Sequence, residues 1–351
     1  MTMTERLDDW VKPTGGVAAL IITEQLMPVE GRDGVLFPPT FAPGDGFKGG
    51  YNIDHFGEQP SGKPNVCLVD SVGSQANRME TIFTDAPYQD LVPQVTIVAG
   101  DDHINLLSVG HRAGDALVRC SGLREEVQDA FVAAIRGDAE PLAKVAPTSL
   151  VFGVWDSRNT QAKLNRLIAS TVRAYDVREL SRSAVYTPPV DYAALDVFSE
   201  AEKDRAENNN KNPLAQRGFV HNPASAAPGG VIADGGVRRT ATLSLAALHL
   251  LSADGDEATL KLRCYILGLS LVALTAETNS HLRQGCNLVP DVEHPRSFEL
   301  VRRNGERTEC SLTHEDAIEF ARQAAKDFGV GEDREVMFDK KLAKADVAKK
   351  K

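Results

Sequence analysis

Two runs of strand and helix signals, split by a long polar interruption at residues 199–236, constrain the fold of this chain most. The interruption begins with the charged run S-E-A-E-K-D-R-A-E and continues through N-N-N-K-N-P to P-G-G-V-I-A-D-G-G. Low apolar content with Asn, Gly and Pro predicts a mobile loop or an insertion. Before it, residues 16–27 (G-V-A-A-L-I-I-T-E-Q-L-M) read as a buried strand. Residues 28–65 form a Gly- and Pro-rich excursion. Residues 66–82 fit an amphipathic helix, with Val69, Val72, Ala76 and Met79 on one side and Ser71, Ser74, Gln75 and Arg78 on the other. Residues 94–99 read as a strand, 123–136 as a helix and 149–155 as a strand. Residues 161–180 suit either a helix or a strand.

Regular structure resumes after the interruption. Residues 240–250 are a strand candidate and 257–282 a long apolar helix. Residues 297–312 predict a hairpin turning at Asn304-Gly305. Thr313 starts a further helix, with Asp316 three residues on as an imperfect capping box. The order predicts one elaborated α+β domain over 1–351, compatible with an RRM-like (ferredoxin-like) βαβ–βαβ core. Its insertions fall at about 28–65 and 199–236, and 340–351 is a basic tail.

The formal charge of −10 argues against a generic nucleic-acid binder, which is usually basic overall. It leaves room for a local basic groove. Between Ser157 and Ser183 stand six bases, Arg158, Lys163, Arg166, Arg173, Arg178 and Arg182, against the acids Asp176 and Glu179. The last twelve residues hold six lysines and one acid and read as a solvated tail. Five cysteines with no C-x-x-C pair predict reduced, buried thiols in a cytoplasmic protein. The first residues lack an apolar signal core, and the longest apolar run, Cys264 to Ala276, is shorter than the roughly 20 residues a spanning helix needs. Neither secretion nor membrane insertion is expected.

Catalytic signals are sparse. There is no Walker A loop, no G-x-G-x-x-G, no H-E-x-x-H and no paired C-x-x-C. The segment Gly268-Leu-Ser270-Leu-Val272 lacks the second glycine of a nucleophile elbow and lies in an apolar helix. Asp101, Asp102, His103 and His111 are of ligand type, but Asp-Asp-His after a strand is more often a turn with a capping acid. No catalytic residue, metal site or cofactor is expected.

An ordered series of strings gives a sharper expectation. It comprises F-P-P-T-F-A at 37–42, Y-N-I-D at 51–54, C-L-V-D-S-V-G-S-Q-A-N-R-M-E at 67–80, W-D-S-R-N-T-Q-A-K-L-N-R-L-I-A-S at 155–170, R-A-Y-D-V at 173–177 and R-S-A-V-Y at 182–186. Together they resemble the RAMP-superfamily backbone subunit of type I-G (formerly I-U) CRISPR effector complexes, over roughly the first 190 residues. The resemblance implies an RRM-like palm with large loop insertions. Copies of such a subunit polymerise along one CRISPR RNA, which pairs with target DNA in antiviral defence beside the other effector subunits. A thumb that kinks the guide is implied as well. A holder of RNA that ignores sequence contacts phosphate and sugar. The residues expected to do so are Ser71, Ser74, Gln75, Asn77 and Arg78 in the first segment, then Arg158, Thr160, Gln161, Lys163 and Arg166, and Arg182. The competing reading is a ribonuclease on the same fold, with Asp45 or Asp54 as the loop acid.

Overall fold

The computed structural model describes residue 7 and residues 9–56, 64–277 and 280–348. Its principal elements are β1 (Val17–Pro28), β2 (Asn65–Asp70), α1 (Val72–Thr81), β3 (Val95–Ala99), β4 (Asp102–Asn105) and α2 (Arg124–Ile135). They continue with β5 (Ile168–Tyr175), β6 (Val177–Tyr186), β7 (Asn222–Ala233), β8 (Val237–Ser244), α3 (Asp256–Thr275), β9 (Cys286–Pro290), β10 (Ser297–Arg302), α4 (His314–Phe328), β11 (Arg334–Met337) and α5 (Lys340–Ala348).

The central sheet is antiparallel at every pairing between these strands. Its central order is β10, β1, β8, β5, β2, with β9 pairing the far end of β1, Arg307–Glu309 pairing outside β10 and Ile53–His55 outside β2. Helix α1 lies in the long connection from β1 to β5, and α3 connects β8 to β10. Two strand–helix–strand units thus interleave in one mixed α+β sheet.

Period-two alternation decides which face is covered. Leu20, Ile22, Glu24 and Leu26 of β1, and Ala241 and Leu243 of β8, are buried on one side. Helices α1, α2, α3 and α4 contribute to the core on that side. Gly268 of α3 sets the approach of α4, because a Cβ there would stand 2.8 Å from Ala321 Cα. Helix α3 has the length and composition to cross a membrane, but most of it is buried in this core. A second, smaller core joins Leu26, Val172, Ala174 and Val237 to Leu36, Tyr51, Val177 and Val231, at the end of the sheet where β5 runs out.

Several expectations need correction. The segment expected as a helix over 66–82 splits, with β2 through Asp70 and α1 from Val72 after the Ser71 cap. The strand expected at 149–155 is a helix over Thr148–Phe152 and then Val154–Trp155, and Gly153 makes the turn at φ 79°. All five residues of that helix are buried, which erases the periodicity that would reveal it. The ambiguous stretch is strand, β5 and β6. The strand at 240–250 ends at Ser244, whose hydroxyl caps a turn of helix over Leu245–Leu248. Helix α3 stops at Thr275, seven residues short of Leu282.

The polar interruption at 199–236 is built rather than formless. It holds a helix over Glu200–Ala206 with a full Ser199/Glu202 capping box, a short helix over Pro213–Gln216, and all of β7. Strand β7 pairs with β6 in a two-stranded ribbon. The excursion at 28–65 carries three short strands and a bridge from Leu36 to Val231; its residues 57–63 lie outside the described residues. The basic end is helical as far as Ala348, and the lysines beyond it are also outside the described residues. The hairpin after Ser297 and both bonds of the Thr313/Asp316 box are as expected.

Candidate functional site

Among the described residues no helix packs on the second face of the central sheet at β1, β8 and β5, where Thr23, Arg238 and Thr240 are half-buried and Thr171 is buried. Cross-strand pairs Thr23, Thr240 and Thr171 form one polar rung on it, with Ser297 of β10 opposite Thr23. The next rung pairs Gln25, Arg238, Arg173 and Leu68. Arg238 Nη2 donates to Tyr175 Oη at 2.8 Å, and its guanidinium lies 4.4 Å from that ring's centroid. Arg173 Nη1 donates to Thr171 Oγ1 at 2.6 Å. This face offers hydroxyls, guanidinium donors and one aromatic, the groups that take phosphate, ribose and a base. Arg173 was noted in the sequence as part of a basic stretch and of the string at 173–177; Arg238 was missed, because period two becomes readable only once the strand is known.

Beneath the same strands runs a buried polar chain. Gln75 Nε2 donates to Asp70 Oδ2 at 2.7 Å, and Ser170 Oγ donates to Gln75 Oε1 at 2.9 Å. Arg239 donates to Ser170 at 3.2 Å and to Glu24 at 3.2 Å, and Arg296 closes on Glu24 at 2.6 Å. A bulge in β2 opposite Val172 and Arg173 turns Asp70 to the covered side.

These facts place the first group of expected contacts. Gln75 is only 4% exposed and both ends of its amide are bonded, so it serves the core and not a ligand. The Ser71 hydroxyl caps α1 by accepting from Ser74 N at 3.3 Å. Arg78 donates Nε to Asp70 at 3.2 Å and Nη2 to the Leu282 carbonyl at 2.6 Å. Its carboxylate partner is Asp70. Glu80 is buried against Arg112, with Oε2 2.7 Å from Nε. Burial pushes the Glu80 carboxyl up to about 7, against the opposing pull of Arg112. Asn77 is exposed and accepts from Arg112 Nη2 at 3.3 Å.

The second group sits on a loop organised by one acid. Asp156 is buried, and its carboxylate accepts from the backbone of Arg158, Asn159 and Thr160 and from Thr160 Oγ1, the last two at 2.7 Å. Burial works to raise this carboxyl, but the hydrogen bonds from Thr160, Asn159 and Arg158 outweigh it and hold the carboxyl below its ordinary value. Thr160 and Gln161 are therefore loop builders. Gln161 takes φ 60° and donates to the Ser157 carbonyl at 2.8 Å. Arg158, Lys163 and Arg166 are exposed residues, but Arg166 Nε donates to the Phe152 carbonyl at 3.1 Å, which ties its guanidinium to the protein. Trp155 is 59% exposed and pairs across the strands with Lys163, whose Nζ is 5.8 Å from its ring centroid. An exposed indole beside Lys163 is a stacking platform with a phosphate donor next to it. Trp155 was read from the sequence only as the end of a strand and the first residue of the string at 155–170.

Arg182 is exposed on the ribbon and lies 5.6 Å over the Phe37 ring. Arg178 pairs with Asp234 at 2.6 Å and with neither Asp176 nor Glu179. The acid and imidazole string at 101–111 does not assemble into a ligand set. His103 faces Glu335 at 3.4 Å, and among the described residues the one group of ligand-type atoms lying together is Asp291, Glu293 and His294, whose carboxylates Arg32 already bridges. Asp45 and Asp54 are exposed in the excursion. The Ser270 hydroxyl is buried and donates to the Ile266 carbonyl at 2.7 Å, a helix-internal bond.

Residues 20–179 match the family model of the CRISPR-associated protein GSU0053. The matched span runs from β1 into β6 and includes Glu24, Asp70, Gln75 and Ser170 of the buried polar chain, but not Arg239 or Arg296, together with the Asp156 loop. No curated protein matches the chain. The match, which covers less than half of the chain, is to a CRISPR-associated protein family.

Proposed function

We propose that the chain is a non-catalytic RNA-holding backbone subunit of a type I CRISPR effector complex, of the I-G kind. In this reading several copies line one CRISPR RNA, the guide bases stay free to pair with target DNA, and other effector subunits complete the cytoplasmic assembly. The sheet order β10, β1, β8, β5 with its two interleaved helices supports an RRM-like palm, as in the RAMP superfamily. The observation that carries the proposal is the uncovered sheet face, whose rungs of Thr, Ser, Gln, Arg and Tyr contain the donors a sugar–phosphate backbone needs. Charge supports it. The outer faces of α2 and α4 expose Glu125, Glu126, Asp129, Glu315, Glu319 and Asp327 against Arg322 and Lys326, an acidic balance that disfavours phosphate on the helical back.

The test is the nucleic acid that travels with the protein. Chain expressed beside a CRISPR array and purified at low salt is expected to carry guide RNA of uniform length, seen as a raised 260/280 nm ratio and identified by sequencing. Protein free of nucleic acid, or RNA cut at a new position when labelled guide is added, contradicts the proposal. The second outcome would favour a ribonuclease using a loop acid such as Asp54.

A further inference from the structure

The arm formed by β6 and β7 leaves the sheet from a fixed root. Asn65 at the start of β2 donates Nδ2 to the Val177 carbonyl at 3.0 Å and accepts from Val177 N at 2.7 Å. Val177 and Ala233 belong to the smaller core. Further out the ribbon is irregular. Glu179 pairs with Val231 and Ser181 with Pro228, so Leu180 alone faces Gly229 and Gly230. Such a bulge interrupts the ladder and bends the strand that carries it. Glycine is needed at both positions. Gly230 takes φ 100°, and a Cβ on Gly229 would stand 2.8 Å from the Leu180 carbonyl oxygen.

The excursion grips the ribbon at this bulge. Leu36 and Val231 exchange backbone hydrogen bonds of 2.8 and 2.7 Å. Gly230 N donates to Tyr51 Oη at 2.9 Å, and a Cβ on Gly230 would collide with Val35 Cγ1. The excursion is tied back to the sheet domain in turn. Phe37 N donates to the Gly285 carbonyl at 2.9 Å, and Arg32 bridges Asp291 and Glu293. Leu36 and Tyr51 are buried, whereas Arg32 is exposed.

One side of the joint has room. A cavity of about 550 Å³ is bounded by Gln25 and Met27 of β1, Arg32 and Asp33 of the excursion, and Arg178 and Asp234 at the ribbon root. A packed interior resists bending, but a gap of this size beside a bulge leaves the ribbon space to turn.

We propose that the arm turns about the Gly229–Gly230 bulge and that the excursion is the latch that holds its angle. The arm moves as one piece, because its tip closes a core of its own from Ala206, Ala215 and Val220. Releasing Tyr51 from Gly230, or Arg32 from its two carboxylates, frees the joint while the sheet stays folded. The latch lets a backbone subunit open its polar face to an RNA strand and close behind it. That use rests on the backbone-subunit reading; the hinge itself is tested without RNA.

The test places spin labels on unnatural ketone side chains at position 195 on the tip and position 250 after β8, where Leu195 and Leu250 are 61% and 74% exposed. Pulsed electron resonance of the free protein is expected to give one narrow distance in the wild type and an added, separate distance in Tyr51→Phe and in Arg32→Glu. Hydrogen exchange on unlabelled Tyr51→Phe is expected to rise about 5-fold at Leu36 and Val231, as the loss of one neighbouring hydrogen bond gives. It is expected to stay at the wild-type level across Arg182–Tyr186 and β8. Distances unchanged in both variants overturn the proposal, as does a broad distribution already present in the wild type. Exchange that rises as much across Arg182–Tyr186 would mean a melting ribbon, and across β8 a general loss of stability; either overturns it as well. Arg32→Glu alters an exposed residue and keeps the test decisive if Tyr51→Phe fails to fold. A chain with the expected hinge and no affinity for RNA upholds the latch and removes only the use assigned to it.

Discussion

The Asp70 carboxylate, wholly buried at the bulged end of β2, holds the Nε of Arg78 at 3.2 Å, and Arg283 reaches its other oxygen at 2.9 Å. A base expected to reach outward from the polar face of α1 is thus tied to an acid in the core. The two members of the pair carry different risks. Removing Asp70 leaves two guanidiniums and the Gln75 amide facing a void, whereas Arg78 is one-third exposed and its loss leaves Asp70 with Gln75 and Arg283.

Asp70→Ala is accordingly expected to cost about 3 kcal/mol of stability, in the range for breaking a buried pair. Arg78→Ala is expected to cost about 1 kcal/mol, since a partly exposed pair is screened by water. Urea denaturation of both variants checks the order. An Arg78→Ala variant less stable than Asp70→Ala would contradict it.

Asp156 sets the shape of a loop that exposes Arg158 and Lys163. Asp156→Asn is expected to lower stability by about 1–2 kcal/mol at neutral pH through weakened charge-assisted hydrogen bonds. Because the folded carboxyl sits below its ordinary value, this contribution is present above the usual carboxylate range and is lost as pH falls through and below it. Stability of wild type and variant measured from pH 7 down to pH 3 should converge. A difference that stays constant over that span would remove the ionised carboxylate from the account.

Glu80 carries the opposite sign. Its folded value near 7 exceeds that of the unfolded chain, so between about 4.5 and 7 the folded state holds the extra proton and loses stability as pH rises. Glu80→Gln, which can still meet Arg112 and Thr148, is expected to gain on the wild type across that window. Parallel stability curves for the two proteins would show that Arg112 keeps Glu80 ionised throughout.

Lys163 and Trp155 separate electrostatics from stacking. Lys163→Ala is expected to lower the slope of log affinity against log salt by about 1 per subunit, since one phosphate contact is lost. Trp155→Ala is expected to weaken RNA binding by about 1–3 kcal/mol with the slope unchanged. Both residues are exposed, so melting temperatures should stay close to wild type. A Trp155→Ala variant that changes the salt slope and leaves affinity at high salt untouched would contradict the stacking role.

The sequence made β1, α2, α4 and the hairpin at Asn304-Gly305 legible, because β1 and α2 carry a readable hydrophobic period, α4 adds a capping box and the hairpin its turn residues. Thr148–Phe152 was illegible because burial on all sides leaves no pattern, and β7 because Pro, Ala and Gly hide a strand whose partner, β6, lies 36 residues upstream at its nearest pairing. Among the proposed contacts, the basic loop at 158–166 was readable from charge alone. Gln75 misled because a polar residue on the polar side of a helix looks solvated, and only the buried Ser170 and Asp70 beside it show otherwise. Arg238 stayed hidden because it belongs to a strand with an arginine on each face: Arg239 turns inward to Glu24, and Arg238 outward to Tyr175.

The central claim is that the uncovered sheet face holds RNA by its backbone. It is tested most directly by the salt dependence of affinity for two RNAs of unrelated sequence, using wild type and the Arg173→Ala/Arg238→Ala double variant. The account predicts equal wild-type affinities for the two RNAs and a straight log–log decline with salt, with a slope shallower by about 2 in the double variant. Wild-type binding that prefers one sequence strongly, or a double variant with wild-type affinity and slope, would contradict it.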